Sequence, residues 1–199
     1  MGSKSSKKKI KKPSILSVLT IGNSQAGKTA LIHRFTDNFF DEKSMSMSTL
    51  ATDYVIVEKK FKYKKDEAKV KVKVWDSPGQ DRFKSFVVNA LKNTQGILLV
   101  YDTTTRKSFE DLQMWINKVN DCQVNTSFPF ILIANKIDLV DQRHVTTEEC
   151  KQFAEKLKMP YFETSAKTGQ GVNEAFNALL EKVFNNLIND KSVHYELKE

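Results

Sequence analysis

Eight consecutive residues, Gly22-Asn23-Ser24-Gln25-Ala26-Gly27-Lys28-Thr29, carry the strongest chemical signal in the chain, because they read G-x-x-x-x-G-K-[ST]. A turn of this composition can wrap phosphate groups. Gly22 and Gly27 let the backbone come close, and N–H groups from Asn23 through Ala26 and on to Ala30 would point at phosphate oxygens. Lys28 would reach the β- and γ-phosphates, and Thr29 would present its hydroxyl to Mg²⁺. A second charged group fits the same chemistry. Asp76 follows a strictly alternating segment, and an aspartate at a strand's carboxyl end beside a phosphate loop is placed to hold Mg²⁺, commonly through water. These residues predict a nucleoside triphosphate site and leave the base open.

The surrounding sequence has to supply a strand before the loop and a helix after it. Residues 15–21 are mostly apolar and β-branched and read as a buried strand, and residues 30–35 read as the start of a helix. Residues 37–49 are polar without a clear period and read as a loop. Strands follow at 54–57 and at 69–75, the second in strict period-two alternation with its lysines outward. Between them a lysine-rich stretch, 59–65, leads to a hairpin tip at Asp66-Glu67. These lysines fit an edge strand guarded against aggregation, or alternatively a second patch for a membrane or nucleic acid. Downstream, apolar strands at 97–101 and 128–134 alternate with helices, and 161–167 is a short strand running into a loop. Ser108-x-x-Asp111 and Thr146-x-x-Glu149 read as capping boxes. The stripe Val172, Phe176, Leu179, Leu180, Val183, Phe184, Leu187 and Ile188 is core packing on a last helix. Alternating strands and helices predict an α/β fold of the P-loop NTPase kind, a mostly parallel twisted sheet with helices on both faces.

The 199 residues correspond to one domain with short tails, and 40% hydrophobic content provides a core. No apolar run reaches the ~18 residues of a membrane span. Cys122 and Cys150 form no C-x-x-C, consistent with free thiols in a reducing compartment, and the three histidines show no ligand spacing. The formal net charge is +8, but residues 1–13 hold six lysines and no acid, which leaves +2 for the rest. A nearly balanced body argues against a nucleic-acid-binding domain. The chain divides into a basic tail at 1–14, a folded domain at 15–188 and a short polar tail at 189–199. Met1-Gly2-Ser3-Lys4-Ser5-Ser6 fits the acceptor pattern for myristoylation on Gly2. One acyl chain anchors weakly, so Lys4, Lys7, Lys8, Lys9, Lys11 and Lys12 would add the second signal for an anionic membrane.

Five segments, in this order and spacing, resemble the Ras superfamily of small GTPases across roughly residues 15–188. They are the phosphate loop at 22–29, Ser48-Thr49, W-D-x-x-G-Q at 75–80, N-K-x-D at 135–138 and S-A-K at 165–167. Trp75-Asp76, Gly79 to Phe83, Tyr101-Asp102 and Ser108-Phe109-x-x-Leu112-x-x-Trp115 look most like the Rab branch. The resemblance implies GTP and GDP as substrate and product, with Mg²⁺ held by Thr29, Thr49 and Asp76. Asp138 would accept both N–H donors of a guanine edge, a match adenine cannot make. Asn135 and Lys136 would brace the loop and cover the base. Ala166 would offer its backbone N–H to the base carbonyl, supported by Ser165 and Lys167. Phe40, or Phe39, would stack on the base. Thr49 and the Gly79 N–H would sense the γ-phosphate, and Gln80 would orient the attacking water with Lys28 on the phosphates.

The same resemblance implies effectors, an exchange factor and a GTPase-activating protein on residues 40–54 and 75–92. It further implies a monomer, peripheral on the cytosolic face of a membrane. The chain departs from the Rab pattern in several places. The loop from Phe40 to Thr49 is about two residues longer than usual and the following hairpin about four. Pro78 removes an N–H before Gly79, and Ala90-Leu91-Lys92 stand where aromatic residues are usual. Residues 194–199 carry no cysteine, so the expectation is an N-terminal anchor and no prenyl group. Two other readings stay open, a GTP-binding adaptor without turnover and a basic RNA-associated GTPase.

Overall fold

The computed structural model describes residues 15–41, 53–63, 66–77, 90–122 and 128–189. The central strands form because their sequences are apolar at most of the positions that the helix layers cover. β1 (Ile15–Ile21) leads through the glycine turn into α1 (Lys28–Asp37). β2 (Asp53–Tyr63) and β3 (Asp66–Asp76) pair antiparallel, and β4 (Gly96–Asp102) is buried at all seven positions. Two short helices, α2 (Arg106–Glu110) and α3 (Leu112–Asp121), precede β5 (Phe130–Asn135). α4 (Thr147–Lys156), β6 (Tyr161–Glu163) and α5 (Val172–Asn189) complete the order.

Among the described residues the strands make a six-stranded sheet in the order β2-β3-β1-β4-β5-β6. Every neighbouring pair except β2–β3 is parallel. Period two divides each central strand between two cores. Leu16, Val18, Leu98 and Val100 face the layer of α1 and α5, where Phe35 stacks on Phe176 at 4.2 Å between centroids. Leu19, Ile21, Leu99 and Tyr101 face α3 and α4 with Trp115, Ile116 and Ala154. Burying such a side chain stabilises the fold by about 1.5–3 kcal/mol, so the two layers hold the sheet rigid under its carboxyl edge. That edge is where the chemical motifs converge.

Two local expectations change. β2 does not stop at Val57 but continues to Tyr63, which pairs with Asp66, so Asp66 and Glu67 belong to β3 and not to a hairpin tip. Lysine at alternate positions keeps such an extension soluble on one side while Phe61 and Ala68 bury the other. Ser108 is no helix cap. It lies within α2, and its hydroxyl donates to Thr105 O at 2.7 Å and accepts from the Asp102 N–H at 3.0 Å. A buried hydroxyl there serves the β4 exit and not a helix start. Ala90 and Leu91, which stand where aromatic residues are usual, pack into the α3–α4 core. Thr146 and Glu149 do form a capping box, with both reciprocal bonds present.

Candidate nucleotide site

The turn between β1 and α1 has the backbone the sequence demands. Gly22 sits at φ 144 and Gly27 at φ 88, values that favour glycine. A Cβ would meet Val100 O at 2.0 Å at the first and Asn135 Nδ2 at 2.3 Å at the second, so both positions are closed to side chains. Lys28 folds back inside the turn, and its Nζ donates to Gly22 O at 3.0 Å and Asn23 O at 2.8 Å. It is 5% exposed, and burial lowers its ammonium to about 8, an effect that the nearby Asp76 carboxylate partly opposes. A buried cation cradled by a glycine turn is a receptor for an anion.

Thr29 lies in the first turn of α1 and its hydroxyl donates to Asp76 Oδ2 at 2.5 Å. Asp76 ends β3 and is buried. Ser77 fixes that strand end by donating to Thr20 O at 2.6 Å. One hydroxyl and one carboxylate, side by side next to a phosphate cradle, fit Mg²⁺, which takes hard oxygen donors and few protein ligands. Thr49, Gly79 and Gln80, and likewise Pro78, lie outside the described residues, as do most of 40–54 and 75–92.

The base side is built from loops after β5 and β6. Asn135, 1% exposed, joins three segments. Its Nδ2 donates to Ala26 O at 3.0 Å, and its Oδ1 accepts from the Ala166 N–H and the Thr164 hydroxyl, each at 3.2 Å. Ser165 donates to Asp138 Oδ1 at 2.6 Å and so aims that carboxylate. Lys136 takes a left-handed φ of 67, with its ammonium 2.7 Å from Asp102 Oδ2. Asn135, Lys136, Asp138 and Ala166 border a pocket of about 300 Å³, lined also by Gln25, Gly27, Ala30, Phe40, Leu139 and Lys167. Of the two candidate aromatic rings, Phe40 lines it, whereas Phe39 is half exposed and does not. A larger groove of about 590 Å³ lies between β2 and α5, but no motif residue reaches it.

Not every motif residue turns toward the pocket. The Asn23 side chain points to α3, donating to Asp111 Oδ2 at 2.8 Å and accepting from Trp115 Nε1 at 2.6 Å. It anchors the turn, and only its backbone carbonyl meets Lys28. Ser24 remains beside it, half buried. Arg34, which belongs to no motif, ties α1 to the other loop through 2.8 Å bonds to Ala166 O and Lys167 O. Leu139 is a further lining residue that no motif names, although its place one residue after Asp138 signals it.

Residues 17–185 match the Ras family. Ras-related protein RabC of Dictyostelium discoideum is 34% identical, with 90% of this chain and 89% of that protein aligned. Ras-related protein Rab-18 of Caenorhabditis briggsae is 36% identical over 84% of this chain and 80% of its own length. Ras-related protein Rab-27B of Rattus norvegicus is 34% identical over 85% and 79%.

Proposed function

The chain belongs to the Ras superfamily of small GTPases, on its Rab branch, and from that premise we propose that it binds GTP and GDP with Mg²⁺, hydrolyses GTP slowly and works as a membrane-trafficking switch. The observation that carries this reading is the pocket in which Asp138, Ala166 and Lys136 meet the phosphate turn. Asp138 accepts from both N–H donors of guanine, and the Ala166 N–H, which donates to Asn135 Oδ1 at 3.2 Å, would share its hydrogen with the base carbonyl. Adenine offers the opposite pattern and would leave the carboxylate without donors, which is costly. Phe40 and the Lys136 stem cover the ring faces. Asn23 to Ala26 and Ala30 supply backbone donors to the phosphates, and Lys28 supplies charge. Thr29 and Asp76 would hold Mg²⁺ together with Thr49, and the ion would neutralise phosphate charge there.

Gln80 orients the attacking water, Thr49 and Gly79 register the γ-phosphate, and their release after hydrolysis switches partner surfaces at 40–54 and 75–92. An arginine supplied by an activating partner accelerates Ras by ~10³–10⁵, and the same dependence is expected here. The protein acts as a monomer on the cytosolic face of a membrane. Gly2 acylation and the six lysines of residues 4–12 recruit it there, consistent with no described helix being long and apolar enough to cross a bilayer. Single-turnover hydrolysis tests the enzyme: slow release of phosphate that Gln80→Leu abolishes supports it. Pro78, which lacks an N–H beside Gly79, favours the second reading of a GTP-loaded adaptor. Absence of turnover in the parental chain, with activating proteins added, would select that reading.

A further inference from the structure

The opposite end of the sheet carries charge that the nucleotide site does not use. Ile15, the first residue of β1, pairs with Lys71, so β3 from Asp66 to Val70 and its partner β2 from Lys59 to Tyr63 extend past β1. Five residues of overhang at ~3.4 Å each project roughly 17 Å beyond the parallel strands. This is the amino end of β1, whereas Lys28, Asp76 and Asp138 lie at the carboxyl ends of the strands. From 59 to 69 the sequence holds six lysines against Asp66 and Glu67. Strand alternation puts Lys60, Lys62, Lys69 and Lys71 on one exposed face. On the other face Phe61 stacks on Phe184 at 4.6 Å, so the overhang is held against α5.

Edge protection accounts for lysines on β2, the outermost strand. It does not account for Lys71, because from that residue on β3 is paired with β1 as well as with β2, whereas Lys69 still lies in the overhang and Lys73 sits over the Tyr54 and Trp75 rings at 3.6 and 3.8 Å. The ion pairs Lys60–Glu67 at 3.4 Å and Lys69–Glu58 at 3.7 Å are well exposed and leave the excess of positive charge in place. Residues 53–77 contain no arginine. Ammonium groups spread over a flat strand face suit a diffuse anionic plane better than bidentate reading of single phosphates.

We propose that the lysine face of the β2–β3 overhang docks on an anionic lipid bilayer, with the nucleotide site turned away from it. The inference deepens the membrane recruitment proposed above, and its test needs neither acylation nor turnover. The unacylated full-length chain is sedimented with vesicles of phosphatidylserine and phosphatidylcholine, using phosphatidylcholine alone as control. Each lysine near such a surface is worth roughly fivefold in partitioning, so K60Q/K62Q/K69Q should weaken binding about ten- to a hundredfold. Melting temperature and guanine nucleotide affinity should stay unchanged, and the corresponding arginine variant should bind as the parent does. The same substitutions are repeated in a chain whose six tail lysines are glutamine. Loss in both backgrounds supports the face, and vesicle binding that ignores the tail substitutions but not the hairpin ones would sink the tail anchor alone. Parental binding by the triple variant in both backgrounds overturns the proposal. So does a chain that passes over the vesicles yet holds single-stranded RNA through these lysines.

Discussion

The two halves of the nucleotide site are made of different materials. The phosphate half is a backbone turn around one buried ammonium, with Lys28 satisfied by the carbonyls of Gly22 and Asn23. The half proposed to hold guanine is a lattice of side chains in which Asn135, Ser165, Asp138 and Arg34 hold loops from distant parts of the chain. A backbone cradle recognises charge and is indifferent to the base attached. A lattice of fixed donors and acceptors recognises a hydrogen-bonding edge and contributes little to charge. Affinity and selectivity should therefore separate when either half is changed.

Lys28→Met should have the largest effect. Losing the buried cation removes about 3–4 kcal/mol of phosphate binding, some 10²–10³-fold in affinity for GTP and ATP alike, measured by calorimetric titration. Unequal loss for the two nucleotides would merge the halves. The charge also predicts a pH dependence. Burial lowers Lys28 to about 8, from an ordinary value of 10.5 that the unfolded chain keeps. Between those values the unfolded chain binds more protons, so the nucleotide-free protein becomes more stable as pH rises through that window, while triphosphate affinity drops by up to about tenfold per pH unit. Affinity that stays level from pH 7 to 10 would remove Lys28 from the phosphate contact.

Asp138→Ala should act on the other half only, lowering GTP affinity about 10- to 100-fold and leaving ATP affinity where it was. Arg34→Met should be milder, a several-fold loss of guanine affinity with no change for inorganic triphosphate, because two bonds to the Ala166–Lys167 backbone are lost and no ligand contact is. Equal weakening of inorganic triphosphate would mean that Arg34 supports the whole domain instead of one loop.

The same division explains what the sequence can tell. The phosphate turn is contiguous, and its glycines, lysine and threonine stand in one motif, so its backbone is legible from the residues alone. The sheet is legible too, because β1, β4 and β5 are apolar almost throughout. The lattice is legible only at its motif residues. Asn23 pairs with Asp111 88 residues away and Trp115 92 away, and Arg34 reaches Ala166 across 132. Such separations leave no spacing to read, which is why the motif tells nothing of where the Asn23 side chain goes and gives Arg34 no role. Ser108 misleads for a related reason. Its spacing to Asp111 fits a cap, but packing against β4 gives its hydroxyl nearer partners.

The measurement that bears most directly on the account is the affinity of the nucleotide-stripped full-length chain for GDP against ADP, and for GTP against ATP, in Mg²⁺. A site in which Asp138, aimed by Ser165, faces the base should prefer guanine by roughly 10⁴-fold or more, as sites built to satisfy a specific hydrogen-bonding edge do. Equal affinities for the guanine and adenine nucleotides would contradict the assignment of the pocket and, with it, the proposed switch.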